Sequence, residues 1–310
     1  MALAHAGRAR PTERPLNHSR FGPGPCGYLR RRLRNACAER LARSNAAVAA
    51  PQIACFPRDY IGRLIVANGF YDDLALHCLF TRTFAGRLET FRDGTALDVG
   101  ANIGNHSLWF ARFFRRVIAF EPNPVCVRLF EASVLMNQLH HVTLVAQGLS
   151  DHAGPALLHS NLQGNLGGSS LSAAGRAGAT QSFPIRLSRG DDALAPITDV
   201  PPVRLVKLDV EGHEHAALRG LQQTLRRDQP LVLFESMQAS GPDGSAAILD
   251  TLRQLGYRHT YVMQSDTAPR SNALFRLLRR LTRGYQLTVL EVDQPDDRFH
   301  SHIIAAADAL

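Results

Sequence analysis

The chain has 310 residues, 45% hydrophobic and 20% charged, a globular composition that excludes a disordered or fibrous protein. No apolar run reaches the roughly 18 to 20 residues that span a bilayer, and the N-terminus lacks the apolar core of a signal peptide, so a cytoplasmic protein is expected. The net charge of +8 resides in residues 1–50, where ten Arg face Glu13 and Glu39, while residues 51–310 hold 25 basic and 25 acidic side chains. That balanced body has no basic excess with which to grip nucleic-acid phosphates. The five cysteines are scattered without a C-x-x-C pair, which fits reduced thiols and argues against a zinc site.

Residues 1–50 read as an Arg-rich extension. Tyr28 to Arg43 is a candidate basic amphipathic helix for a membrane surface or acidic partner, against the alternative of a solvated, flexible segment. Residues 51–94 read as an entry subdomain, with a short strand at Leu64 to Ala67 and a helix from Tyr71 to Phe84. Residues 95–310 then alternate strands and helices, the pattern of a parallel sheet covered on both faces. Strands are expected near 95–99, 117–121, 142–147, 203–209, 230–235, 258–263, 286–292 and 301–306, and helices near 106–114, 124–138, 214–227 and 244–255.

The run Thr95 to Gly104 is an apolar strand ending in Asp98, followed by a glycine-rich turn. The next strand, Val117 to Glu121, also ends in an acid and is stopped by Pro122. This is a cofactor site at the carboxyl ends of parallel strands, with Glu121 placed to accept from two ribose hydroxyls. The turn is G-x-x-x-G from Gly100 to Gly104, without the G-x-G-x-x-G pattern of a pyrophosphate cradle. Asp98 beside it repels phosphate and welcomes a cation, so S-adenosylmethionine, with its ribose, amino group and sulfonium, fits better than a dinucleotide.

Two insertions interrupt the alternation, near 155–187 and 265–285. In the first, two strand-like pieces flank Ser160 to Ser182, a Gly- and Ser-rich loop expected to act as an acceptor lid. In the second, Arg270 to Arg283 places four Leu on one stripe among Arg, either a capping helix or a contact for a membrane or acidic partner.

A second constellation, Leu205 to Glu214, delivers Lys207 and Asp209 on a strand, then Glu211, His213 and Glu214 around a turn at Gly212. The neighbouring strand Leu231 to Glu235 again ends in an acid. Asp209 and His213 are candidate general bases, with Glu211 and Glu235 behind them. Mg²⁺ held by Asp209 and Glu235 is the alternative use of these acids.

Taken together, LDVGANIGNHS, IAFEPNP, VTLVAQGLSD, KLDVEGHE and PLVLFE resemble the FkbM family of methyltransferases, over roughly residues 95–262. The resemblance implies an α/β, class I Rossmann-like methyltransferase fold, with a mostly parallel seven-stranded sheet and helices on both faces. It implies S-adenosylmethionine as cofactor, held by Asp98, Gly100, Asn102, Gly104, Glu121 and Asn123, with Gly148 to Asp151, including Ser150, along the adenine. It implies O-methylation of a small-molecule or carbohydrate acceptor: a sugar, glycolipid or secondary-metabolite hydroxyl. The rival readings are a non-catalytic module that binds a partner or membrane, and a nucleic-acid methyltransferase. The neutral body and the lack of an Asn-Pro-Pro-Tyr motif speak against the latter.

Overall fold

The computed structural model describes residues 25–47, 50–161, 165–171, 180–236, 244–265, 286–296 and 299–310. The helix expected from Arg270 to Arg283 lies outside them, as do parts of the Ser160 to Ser182 loop and of the N-terminal extension. The chain forms two units, Met1–Ser44 and Asn45–Leu310. The first contributes most of α1 (Pro25–Ala47). At 100° per residue its apolar side chains Tyr28, Leu29, Leu33 and Leu41 spread around the helix instead of forming one stripe. The expected helix is present, but it is not amphipathic.

In the second unit, α2 (Tyr60–Asn68), α3 (Asp73–Cys78), a π turn (Leu79–Thr83) and α4 (Leu88–Arg92) precede the sheet. The expected strand at Leu64 to Ala67 is instead part of α2. Asp59 caps this helix, accepting from the Ile61 and Gly62 amides at 3.1 and 3.4 Å. Ile61 and Ile65, four residues apart, share one face and pack with Ile103 and Cys126. The cap and the i, i+4 pair outweigh the local β propensity.

The following elements are β1 (Thr95–Val99), α5 (Asn105–Phe110), β2 (Arg116–Phe120), α6 (Pro124–Met136) and β3 (Val142–Val145). Then come β4 (Gly148–Ser150), β5 (Gly154–Asn161), β6 (Asn165–Ser170), β7 (Gln181–Arg189) and α7 (Gly190–Leu194). The chain continues through β8 (Val203–Leu208), α8 (Glu214–Gly220), α9 (Gln222–Asp228), β9 (Leu231–Ser236) and α10 (Ser245–Gln254). It closes with β10 (His259–Ser265), β11 (Leu287–Glu291) and β12 (His300–Ala306).

The main sheet has eight strands in the order β11-β10-β12-β9-β8-β1-β2-β3, one more than the seven expected. The additional edge comes from β11, paired antiparallel to β10. Strands β3, β2, β1, β8 and β9 run parallel. The chain winds outward from β1 to β3, then returns to β8 on the other side of β1. The crevice beyond the carboxyl ends of β1 and β8 is therefore the topological switch point, where open α/β sheets bind ligands.

Both sheet faces are buried, which accounts for the continuous apolar runs Val117 to Phe120 in β2 and Leu231 to Phe234 in β9. Ala96, Val117 and Leu205 face a cluster rich in phenylalanine, including Phe80, Phe84, Phe91, Phe110 and Phe114. Leu97, Ile118, Val206 and Val232 face the opposite cluster, with Leu218, Leu225 and Leu252. This two-sided core holds the strand ends in register around the crevice.

A second sheet has the order β4-β7-β5-β6. Its β5–β7 hairpin comes from the two strand-like pieces of the first insertion. The Gly- and Ser-rich segment between them is not a loop throughout, because β6 pairs antiparallel to β5.

Candidate active site

A cavity of about 250 Å³ opens at the switch point, between the ends of β1, β2, β8 and β9 and the second sheet. Gly100 shapes its floor with φ of +79°, and a Cβ there would overlap the Asp209 carbonyl. Only glycine permits the β1 and β8 turns to approach this closely. The Gly100 and Ala101 amides both donate to the Phe120 carbonyl, at 3.0 and 3.1 Å, which draws the β2 end against the turn.

Glu121 follows β2 and faces this cavity while 7% exposed. Its Oε2 accepts from the Asn102 amide at 2.8 Å and its Oε1 from the Asn123 amide at 2.7 Å. Each oxygen keeps a second lone pair. Burial pushes this carboxyl up to about 7, even though the two amides favour its ionised form. Apolar side chains Phe120, Pro122, Leu149, Leu158, Ile185 and Leu187 line the cavity nearby.

At the other end stand Tyr71, Asp209, Glu211, His213 and Glu235. Lys207 is buried beneath them, with its Nζ at 3.1 Å from Asp209 and 3.5 Å from Asp98. Burial works to discharge Lys207, but the two carboxylates outweigh it and hold the ammonium above its ordinary range. Burial, followed by the charges of Asp209 and Glu214, raises Glu211 to about 7. Glu235 is also raised to about 7, by burial and by Asp209 and Glu211. Burial and the neighbouring carboxylates, Asp72 first, hold the Tyr71 phenol above its usual range, so it stays a hydrogen-bond donor.

Not every expected residue reaches the cavity. Gly100, Asn102, Glu121, Asp209, Glu211, His213 and Glu235 line it. Asp98, Gly104, Asn123, Ser150 and Asp151 do not. Asp98 is fully buried, accepting from the Ser107 hydroxyl at 2.6 Å and facing the Lys207 ammonium. Gly104 lies against the Phe130 ring at the start of α5. Asn123 caps α6 by accepting from the Val125 amide at 3.0 Å, and its amide nitrogen donates to Ser160 and Ser169. Of the segment expected along the adenine, Gly148 and Leu149 line the cavity, while Ser150 turns away toward His213. Glu214 folds back to accept from the Val210 and Gly212 amides at 2.9 and 3.1 Å, clamping the turn that carries Glu211 and His213.

Sequence reasoning missed Tyr60 and Tyr71, which line the cavity with rings edge to face at 6.1 Å. Their only sequence signal is the Asp59 cap that starts α2, because they belong to no strand-end motif. Among the described residues, no group of three or more His, Cys, Asp or Glu side chains is arranged to hold a metal ion. Likewise among them, no helix is long and apolar enough to cross a membrane.

The family profile of the methyltransferase FkbM domain matches residues 98–259, more than half of the chain. The chain belongs to the FkbM family of methyltransferases. It is 30% identical over 173 residues to the methyltransferase sdnD of Sordaria araneosa, a match covering 47% of this chain and 67% of sdnD. It is 33% identical over 139 residues to the hexuronic acid methyltransferase AglP of Haloferax volcanii, covering 44% of this chain and 54% of AglP. A solved FkbM methyltransferase from Methylobacillus flagellatus KT aligns with TM-score 0.43 and 16% identity, over 74% of this chain and 47% of that one. The chain thus spans about two thirds of one curated relative and about half of the other. Membership places this protein among enzymes and sets aside a purely non-catalytic module. The matched span holds the end of β1 and all of β2, β8 and β9, the four strands whose ends build the cavity.

Proposed function

We propose that this FkbM protein is an S-adenosylmethionine-dependent O-methyltransferase acting on a hydroxyl of a sugar, glycolipid or secondary-metabolite scaffold. The observation that carries the reading is Glu121. Both of its oxygens are fixed by backbone amides, and both keep a lone pair at the cavity wall, an arrangement suited to two adjacent ribose hydroxyls. The apolar wall from Phe120 to Leu187 offers a slot for a flat base. The carboxylates at the far end favour a ligand carrying positive charge.

The cofactor supplies a methyl group already activated on a sulfonium. The chain's own contribution is to align the acceptor and remove its proton. Tyr71 donates to the acceptor, and Asp209, Glu211 and Glu235 accept from its other hydroxyls. His213 takes the proton of the reacting oxygen. Alignment supplies most of the rate, and the base contributes about 10²- to 10⁴-fold. A carbohydrate acceptor is supported by the relative named as a hexuronic acid methyltransferase. The balanced charge of residues 51–310 supports a small-molecule acceptor over nucleic acid.

The test is methyl-tritiated S-adenosylmethionine supplied with neutral glycosides, uronides, glycolipids and polyketide aglycones. Label in an ether-linked product supports the reading. Label on nucleic acid or on a nitrogen, or no binding of the cofactor, contradicts it.

A further inference from the structure

Asn105 is buried, 4% exposed, at the first position of α5, directly after the glycine turn from Gly100 to Gly104. Its side-chain carboxamide grips one residue at both peptide groups. Oδ1 accepts from the Tyr71 amide at 2.9 Å, and Nδ2 donates to the Tyr71 carbonyl at 3.0 Å. A backbone N–H only donates and a carbonyl only accepts, so both directions and the orientation of the carboxamide are fixed. His106, the next residue, meets the Tyr71 ring edge to face at 6.4 Å, and Tyr60 of α2 meets it at 6.1 Å. Asp72, which follows Tyr71, has φ of +60°, and its Oδ2 lies 2.9 Å from Nε2 of His302 on β12. A non-glycine residue in that left-handed region persists where its surroundings hold it.

Tyr71 is thus held at its backbone, at its ring and at the next residue. Its hydroxyl, by contrast, makes no hydrogen bond among the described residues. Tyr71 lines the cavity beside Asp209 and Glu235, whereas Asn105 does not. One short stretch therefore serves both ends of the cavity. Gly100 shapes the floor, the Asn102 amide holds Glu121 at 2.8 Å, and Asn105 with His106 holds Tyr71.

We propose that Asn105 is a positioning residue that sets the Tyr71 hydroxyl at the methyl-acceptor end of the cavity by gripping the Tyr71 backbone. The inference rests on the reading of Tyr71 as a donor to the methyl acceptor. A bond donated to the reacting oxygen would withdraw the electron density that attacks the methyl carbon. The partner of Tyr71 is therefore a second oxygen of the same molecule, a neighbouring hydroxyl, ring ether or carbonyl that offers a lone pair. A side chain locked by packing and by outer hydrogen bonds holds such a contact in productive geometry.

The experiment uses the full chain in two arms, and the first needs no ligand. With ¹³Cζ-labelled tyrosine, the Tyr71 signal is assigned by its loss in Tyr71→Phe. Around this phenol stand Asp72, Asp209, Glu235 and Tyr60, with the His106 ring against it and His302 on Asp72. Burial and these carboxylates oppose its charge, so wild-type Tyr71 should stay protonated beyond the ordinary tyrosine value of about 10. Asn105→Ala should let the ring leave this place and titrate near that value. An unaltered titration in the folded variant overturns the inference. The second arm measures methyl transfer to whichever glycoside, uronide, glycolipid or aglycone takes the most label. Tyr71→Phe should raise its KM about 3- to 10-fold, the share of one hydrogen bond, with kcat unchanged. Asn105→Ala should raise KM by up to the same factor, and by nothing further in the Tyr71→Phe background. Affinity for S-adenosylhomocysteine should be the same in all three variants. An Asn105→Ala penalty of equal size in both backgrounds overturns the inference. A silent Tyr71→Phe overturns the reading of Tyr71 as a donor instead, and the titration then decides whether Asn105 holds the ring. If Asn105→Ala does not fold, Asn105→Asp, which still accepts from the Tyr71 amide, takes its place and should give smaller changes in the same directions.

Discussion

Replacing Glu121 tests how the cavity recognises its cofactor. In the wild type, this carboxylate satisfies the Asn102 and Asn123 amides at 2.8 and 2.7 Å and offers one further lone pair per oxygen to the ligand. Glu121→Ala removes both ligand bonds and strands both amides. Net hydrogen bonds to a charged group contribute about 1.5 to 3 kcal/mol each. Some of that is recovered by water entering the enlarged cavity, so the expected loss is about 2 to 3 kcal/mol, or roughly 30- to 150-fold in Kd. The stranded amides should also destabilise the fold by about 1 to 3 kcal/mol each unless water reaches them. Glu121→Gln keeps the shape and removes the charge, and should fall between the two. Because burial raises this carboxyl to about 7, wild-type affinity should tighten from pH 6 to pH 8 as it ionises, and Glu121→Gln should flatten that profile. Calorimetric titration with S-adenosylmethionine measures the affinities, and a thermal melt verifies folding. Unchanged affinity in a folded Glu121→Ala variant would refute the ribose assignment.

His213→Ala should slow methyl transfer by about 10²- to 10⁴-fold with cofactor affinity preserved, and the deficit should shrink at high pH, where the acceptor ionises unaided; full activity would remove His213 as the base. Turnover should survive a chelator, whereas loss with EDTA and recovery with Mg²⁺ would make Asp209 and Glu235 metal ligands. A truncated chain beginning at Asn45 should melt cooperatively and bind the cofactor, because Asn45 itself bonds the Val66 carbonyl at 3.1 Å while residues 1–44 form a separate unit; aggregation would show that the removed segment supports the body. Burial raises Glu121, Glu211 and Glu235 each to about 7, so the folded state binds more protons than the unfolded one between about pH 4.5 and 7. These groups should therefore stabilise the ligand-free protein below that window and lose the effect as pH rises through 7. Melts from pH 5 to 8 check this, and a slope that Glu121→Gln leaves unaltered would contradict it.

The parallel strands were legible because both sheet faces are buried, so Val117 to Phe120 and Leu231 to Phe234 read as uninterrupted apolar runs. The acids at their ends were legible because a carboxylate after such a run is out of place in a core. Distinguishing which acids face the cavity was beyond the sequence. Asp98 lies near the end of β1 and Asp209 directly after β8, yet Asp98 is buried against Ser107 and Lys207 while Asp209 reaches the cavity. Residue spacing along one strand says nothing of how neighbouring strands stagger. The Leu64 to Ala67 misreading has a local cause, since three branched apolar residues favour a strand until the Asp59 cap and the Ile61–Ile65 pair are counted. Tyr60 and Tyr71 belong to the segment ahead of the sheet, and only tertiary folding carries them to the cavity. Ser150 lay within a recognised motif, but its contact with His213 joins β4 to a turn far away in sequence.

The most direct test of the central claim is a crystal structure of the full chain with S-adenosylhomocysteine. The account predicts the ligand in the cavity at the β1–β8 switch point, both ribose hydroxyls within hydrogen-bond distance of Glu121, roughly 2.5 to 3.2 Å. The base should lie against Leu149 and Leu187, and the sulfur should point toward Asp209 and His213. A ligand bound elsewhere, or with its ribose away from Glu121 and its sulfur away from His213, would contradict it.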